Sequence, residues 1–374
     1  MAGSYELWLC DDHGVRIAQI DYALGFSASR VVNGIGRCTV QLPNTFDTSL
    51  LAPDRMIQVW RAPVGGNLSL WRAYFLRRWQ FLTLSDGEII MIYGPDVNEL
   101  LTRRAVVAFS GEAQCAKTDY ADDMMKEIVT ESLADGVAPT PDAGTRAWPD
   151  LTVAADVNLG PTLTDAFAWQ QLMTASGSGV LIDISKAAKT AGTEVFFDIV
   201  PNVITSKSIN FQFVTNINQP GADLTDRVVF DQERGNLKTP SLDFDYESEI
   251  NYVYGAGQGE AGSREIQQVY DADRYGASQW NRRETVRDAR NQPDADGVRE
   301  AARAELSEGR PKLRFSGVPV DTEGTRFGID WDMGDKVTAR YRGYTFVSII
   351  RAISISVNDA GEETISARFD YEES

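Results

Sequence analysis

The chain has 374 residues, 43% of them hydrophobic and 24% charged, with 36 basic against 54 acidic residues for a net charge of −18. This length exceeds a comfortable single core and predicts two to four domains. No apolar run is long enough to span a membrane and the MAGSYELWLCDD start lacks a basic, apolar leader, so the protein is expected to be made and kept in a cytoplasm. The acidic balance argues against nucleic-acid binding in the ordinary sense, because the densest basic patches are only pairs: Arg77-Arg78, Arg103-Arg104 and Arg282-Arg283.

Residues 5–95 read as short strands separated by Gly, Asn, Pro and Asp clusters, the pattern of a sandwich or small barrel. Trp60, Trp71 and Trp79 are expected in its core or rim. After Gly94-Pro95, Asp96 and Glu99 form a capping box for a short helix through Leu100 and Leu101. Ala121, Met124, Met125, Ile128, Val129 and Leu133 recur at helical spacing, with Thr118 or Asp119 as cap and Gly136 as stop. A loop is expected over 139–149. A second helix is predicted from Thr164 through Phe167, Trp169, Leu172 and Met173 to Gly177, and then extended runs over Gly179–Ser185 and Thr193–Pro201.

From Ser206 the pattern is β again, through a Gly235-Asn236 turn to the most informative stretch, Ile250–Arg290. There a strand with Tyr252 and Tyr254 on one face runs into a glycine cluster, and Arg264–Tyr270 and Arg282–Asp288 complete a small antiparallel sheet. One late helix is predicted over Asp296–Leu306, with Val298, Ala302 and Leu306 on one face, and the last sixty residues return to strands. The fold class is therefore mainly β with α+β inserts: two pseudo-symmetric small β-barrels plus two α+β domains. The expected boundaries are 1–102 for the first barrel, 103–205 for an α+β domain, 206–240 with 312–374 for the second barrel, and 241–311 for an α+β insertion.

Little in the chain carries chemistry. Gly257-Gln-Gly259-Glu-Ala-Gly262 satisfies the dinucleotide fingerprint, but Arg264–Tyr270 alternates as a strand where that site needs a helix, so a hairpin loop is the expected reading. Cys10, Cys38 and Cys115 lack metal or redox spacing and are expected to be inert. His13 is the single histidine and sits in an Asp-Asp-His-Gly turn, which leaves most hydrolase chemistry without a base or ligand. The Asp330/Asp332/Asp335 and Asp271/Asp273 clusters break the calcium-loop pattern and read as acidic turns. No catalytic, cofactor-binding or metal-ligating residue is assigned, no cofactor is expected, and the protein is expected not to be an enzyme.

Several segments, in order, carry a resemblance. Asp54-Arg55 with Val59-Trp60-Arg61, Phe75-Leu-Arg77-Arg78-Trp79, Asp96–Arg104, Ala121–Val129, Phe230 through Gly235-Asn236, the Gly-Gln-Gly/Arg282-Arg283-Glu284 segment and Gly334-Asp335-Lys336-Val337 together resemble the tail-tip baseplate hub proteins of siphophages. The resemblance implies an architecture shared with the hub of contractile tails: a homotrimer whose six barrels form a ring. That ring would adapt a sixfold tail tube to a threefold central tip and surround the channel for DNA and tape measure. The implied partners are a distal tail protein or tube ring, the tape measure protein and a central fibre or spike. DNA would pass without specific binding, in a virion assembled in the bacterial cytoplasm. No hydrolase domain is expected after Ser374. The charge suggests acidic side chains along the channel, with the arginine pairs held by carboxylates at subunit contacts. The rival reading is a carbohydrate-active or receptor-binding β-protein of the tail tip.

Overall fold

The computed structural model describes residues 3–85, 87–107, 115–134, 146, 148, 150–167, 169–205 and 208–371. The chain divides into two compact units, one of Met1–Lys189, Thr193–Pro240 and Ser316–Asp370, the other of Thr190–Gly192, Ser241–Phe315 and Tyr371–Ser374. The molecule is mainly β, as its strand-like alternation predicts.

In the first unit, Ser4–Cys10 is flanked by Arg16–Gln19 and Met56–Ala62, and Ser69–Phe75 completes an antiparallel four-stranded sheet. Six of the ten strands of the largest sheet run in the order Glu363–Tyr371, Tyr344–Val357, Gly25–Val31, Arg37–Pro43, Gly87–Pro95, Arg78–Leu84. The two β regions expected at opposite ends of the chain therefore meet in one sheet. The joint is Tyr344–Val357 against Gly25–Val31, where Ile353 faces Arg30 and Ile355 faces Ala28. Phe26, Ala28, Cys38, Val40, Leu42, Ile90, Ile92, Ile353, Ile355, Ile365 and Ala367 alternate onto one buried face. The backbone at Phe75 passes so close to this sheet at Gly94, within the strand Gly87–Pro95, that a Cβ there would lie 2.0 Å from the Phe75 carbonyl oxygen; only glycine fits that approach.

The core continues into the hairpin Val195–Ile204/Ile209–Ile217 and the helix Ala121–Val129. Met124, Met125, Ile128 and Val129 pack there with Phe197, Phe211 and Phe213. The helix begins after Tyr120 and passes into a π-helical turn over Thr130–Ala134. The predicted stop at Gly136 and most of the 139–149 loop lie outside the described residues. Asp96 does cap the preceding predicted helix, accepting from the Asn98 N–H, but that helix is a 3-10 segment over Val97–Arg103.

Three expectations need correction. The helix predicted over 164–177 is absent: Thr162–Phe167 is a strand paired with Cys115–Tyr120, and Trp169 has φ 57°, a left-handed turn that no helix tolerates. The extended run expected over Gly179–Ser185 is replaced by a helix, Val180–Thr190, where Val180, Ile184 and Ala188 are buried at four-residue spacing. In the second unit, Tyr252–Ala256 is the central strand of a three-stranded sheet. It is antiparallel to Ile266–Tyr270, as expected, but parallel to Glu284–Asp288. The short helix Ala272–Gly276 stands in the connection between them and reverses the chain. The helix Ala295–Glu308 covers the other face with Val298 and Ala302, so closely that a Cβ at Gly255 would meet the Val298 carbonyl oxygen at 2.8 Å.

Candidate assembly surface

Alternation leaves the second face of the large sheet open, and the register lines its residues into rows. Thr364 and Ser356 stand beside Ser27, Thr39, Tyr93 and Arg78; Ser366 and Ser354 stand beside Ser29; Gln41 stands beside Met91 and Gln80. Ser354, Ser356, Thr364 and Ser366 are exposed, and Ser27, Ser29, Thr39 and Gln41 are half-buried. The Ser29 hydroxyl accepts from the Arg37 N–H at 2.9 Å, and the Arg78 guanidinium lies 4.9 Å from the Tyr93 ring. Ser27, Thr39, Gln41, Met91 and Ser356 line a shallow depression of about 460 Å3 with Asp359 at its rim, so the face is concave there.

The sheet ends at Arg78–Leu84, which pairs only with Gly87–Pro95 among the described residues. Phe81 is 62% exposed and Leu84 49% exposed on this last strand. An unpaired strand edge with exposed apolar side chains is a template for another chain unless something covers it.

The second unit has an open face too. Tyr252, Tyr254, Tyr270 and Tyr275 form one aromatic cluster, with the Tyr252 and Tyr270 rings stacked at 5.0 Å and the Arg282 guanidinium 4.3 Å from the Tyr252 ring. Val286 is 67% exposed on the neighbouring strand.

The residues with chemical potential in the sequence have structural partners. After Gly262 comes a one-turn 3-10 segment and then the strand Ile266–Tyr270, so the fingerprint is a hairpin loop. Asp271 caps Ala272–Gly276, Asp330 binds Arg326, and Asp335 accepts the Ala222 and Asp332 N–H groups. All three cysteines are free thiols, with burial pushing Cys10 up to about 12 and Cys38 higher still. Trp71 is buried, whereas Trp60 and Trp79 are only partly so. The carboxylates that meet Arg77, Arg103 and Arg282 are Asp54, Glu99 and Glu284 of this same chain. These arginines thus have partners without any subunit contact. Among the described residues no cluster of His, Cys, Asp and Glu could hold a metal ion.

Sequence reasoning missed a small cavity of about 330 Å3 whose apolar floor includes Met56, Phe75 and Phe211. At its mouth His13 Nδ1 lies 3.0 Å from Asp150, a hydrogen bond that raises the imidazole above its ordinary range. No local pattern joins positions 137 apart in the chain.

The family model for Siphovirus ReqiPepy6 Gp37-like proteins matches residues 6–369. The chain belongs to that family. The resemblance to siphophage tail proteins carried by the ordered motifs is met at this level. Among curated proteins no sequence relative was found. Solved structures with the same fold include phage tail proteins. The tail protein from Neisseria meningitidis MC58 is 11% identical with a TM-score of 0.59, over 99% of this chain and 97% of that one. The prophage MuSo2 43 kDa tail protein from Shewanella oneidensis is 12% identical with a TM-score of 0.58, over 98% and 97%. Prophage tail protein gp18 from Listeria monocytogenes EGD-e is 12% identical with a TM-score of 0.51, over 98% and 94%. The chain is thus a member of a siphovirus protein family and has the fold of phage tail proteins.

Proposed function

We propose that this member of the family is the hub of the tail tip, a structural, non-enzymatic virion protein that forms a homotrimeric ring. The ring joins the sixfold tail tube, through a distal tail protein, to a threefold central fibre or spike, and surrounds the channel for the tape measure protein and DNA. The observation that supports this reading is the coincidence, in one sheet built from both ends of the chain, of a concave polar face and a free edge bearing Phe81 and Leu84. Joining that edge to the next copy continues the sheet around a symmetric ring and satisfies its backbone groups. The pseudo-symmetric barrels, 1–102 and 206–240 with 312–374, belong to the same proposal and supply its sixfold side. Light scattering on the purified chain tests it: the mass of three chains is expected, and a monomer at micromolar concentration would refute the ring.

A second reading, receptor or carbohydrate binding at the tail tip, is favoured by the tyrosine cluster and exposed Val286 of the second unit. Glycan-array binding abolished in Y254A/Y270A would support it.

A further inference from the structure

The second unit turns one face of its three-stranded sheet to the helix Ala295–Glu308 and leaves the other open. On the open face, register sets Tyr252 between Tyr270 of one neighbouring strand and Glu284 of the other. The next row is Gln268, Tyr254 and Val286, and the third is Ile266, Ala256 and Asp288. The Tyr252 and Tyr270 rings lie parallel at 5.0 Å. Arg282 leads into the Glu284 strand, on the other side of Tyr252, and its guanidinium stands 4.3 Å from the Tyr252 ring. A stack therefore runs from Arg282 through Tyr252 to Tyr270, with Tyr275 edge-on to the last ring at 5.9 Å. It ends on the edge strand Ile266–Tyr270, where Tyr270 is 51% exposed.

The charges on this face already have partners. Glu284 meets Arg282 at 2.5 Å, and Asp288 meets Arg290 at 2.5 Å and Arg264 at 3.7 Å. Asp271, just past Tyr270, pairs with Arg274. Glu265, Arg283 and Arg287 have the opposite parity, where Arg287 pairs with Glu305 of the covering helix. Asp273, beside Tyr275 on the short helix Ala272–Gly276, has no ion-pair partner among the described residues.

We propose that the outer face of Tyr270 is a stacking site for a sugar ring and that the ligand is an uncharged glycan. The proposal rests on the second reading above and names its ligand class. A pyranose has one face of C–H groups, which stacks on an aromatic ring, and a rim of hydroxyls that both donate and accept. Tyr270 supplies the ring as the open end of a stack whose inner members are already held. One row away, Gln268 accepts the Tyr252 hydroxyl at 2.8 Å through its carbonyl oxygen, which leaves its amide N–H groups to donate. A protein docking on this face would bury the Arg282–Glu284 and Asp288–Arg290 pairs, and taking ion pairs out of water is costly. A glycan carries hydroxyls that replace the water around them. An acidic glycan finds no unpaired arginine on the face and is repelled by Asp273.

The test presents the full-length protein with neutral hexasaccharides (cellohexaose, maltohexaose and chitohexaose) and with oligogalacturonate of the same length, and titrates each by calorimetry. The expected result is binding to a neutral hexasaccharide and none to the uronate. Y270A should weaken that binding about tenfold while Y270F stays within about threefold of wild type, since the ring carries the contact. Tyr270 is half-exposed on an edge strand, so both variants should keep the wild-type melting temperature. Uronate binding that falls in Y270A overturns the uncharged class and leaves the glycan reading standing. Neutral binding that Y270A leaves unchanged overturns the site. Absence of binding to every oligosaccharide sinks the proposal and the glycan reading together. A lower oligomeric mass in Y270A makes the face a contact between copies and overturns the proposal as well.

Discussion

Arg61 and Glu363 stand 302 positions apart and meet at 2.9 Å, with both side chains almost fully buried. Arg61 also donates to the Phe327 carbonyl at 3.1 Å, and Glu363 accepts from the Gly3 N–H at 2.9 Å and from the Tyr5 hydroxyl. This pair fastens Met56–Ala62 to the last strand of the chain, and the Tyr5 hydroxyl ties the first strand, Ser4–Cys10, to the same carboxylate.

Removing one partner leaves a buried, unpaired charge, so R61M should destabilise the protein by about 3–5 kcal/mol. Hydrogen bonds from Arg61, Tyr5 and Gly3 outweigh burial and hold Glu363 below its ordinary value. A depressed carboxylate contributes stability present above its unfolded pKa and lost as pH falls through the folded one. Urea melts should therefore show wild type losing stability below about pH 4.3, the ordinary glutamate value, more steeply than E363Q. Parallel curves would show that the pair contributes nothing.

Arg72 is buried between Asp96 and Asp198, at 2.8 Å from each. Burial pushes Asp96 up to about 6, against the pull of Arg72. A raised folded pKa contributes stability that is lost as pH rises through it, so Asp96 costs stability between its ordinary value and about 6. In R72M the opposing pull disappears and the window extends upward. Unfolding free energy measured from pH 4 to 8 should keep falling above pH 6 in R72M while wild type levels off; the same plateau in both would contradict this.

Lys126 is buried on the helix Ala121–Val129 at 3.1 Å from Asp122 and 3.0 Å from Asp123. Those carboxylates accept the Val157, Asn158 and Leu159 N–H groups, which pins an extended segment to the helix. K126M should speed hydrogen exchange at 157–159 by more than it speeds exchange in Gly25–Val31. Uniform acceleration would mean global destabilisation instead of release of this clamp.

Much of this was legible in the chain. Alternation found much of the large sheet, because one face is buried and the other is wet, but not its strand Gly25–Val31, and helical spacing found Ala121–Val129 and Ala295–Glu308. The 164–177 error had a local cause. Leu163, Phe167, Leu172 and Met173 are all partly or fully buried, but on a strand and the turn after it, so their helical spacing was a coincidence that Trp169 breaks. Val180, Ile182 and Ile184 alternate as a strand does, and only burial of Val180, Ile184 and Ala188 together distinguishes the helix. Pairing between Gly25–Val31 and Tyr344–Val357 has no local signal. The row of hydroxyls on the open face could be seen only after register placed Ser354 beside Ser29.

Edge burial predicts a concentration-dependent assembly. Burying Phe81 and Leu84 is worth about 1.5–3 kcal/mol each, so F81S/L84S should shift the oligomer toward monomer in sedimentation velocity without lowering the melting temperature of the monomer. An oligomer unchanged by both substitutions would place the contact elsewhere.

Single-particle electron microscopy of the purified chain tests the hub account most directly. The account predicts a ring of threefold symmetry with an open centre, in which Arg78–Leu84 of each copy adjoins the next and the two β regions repeat around the axis as six similar lobes. A population of single, unclosed particles, or a ring whose copies meet away from that edge and show no sixfold repeat, would contradict it.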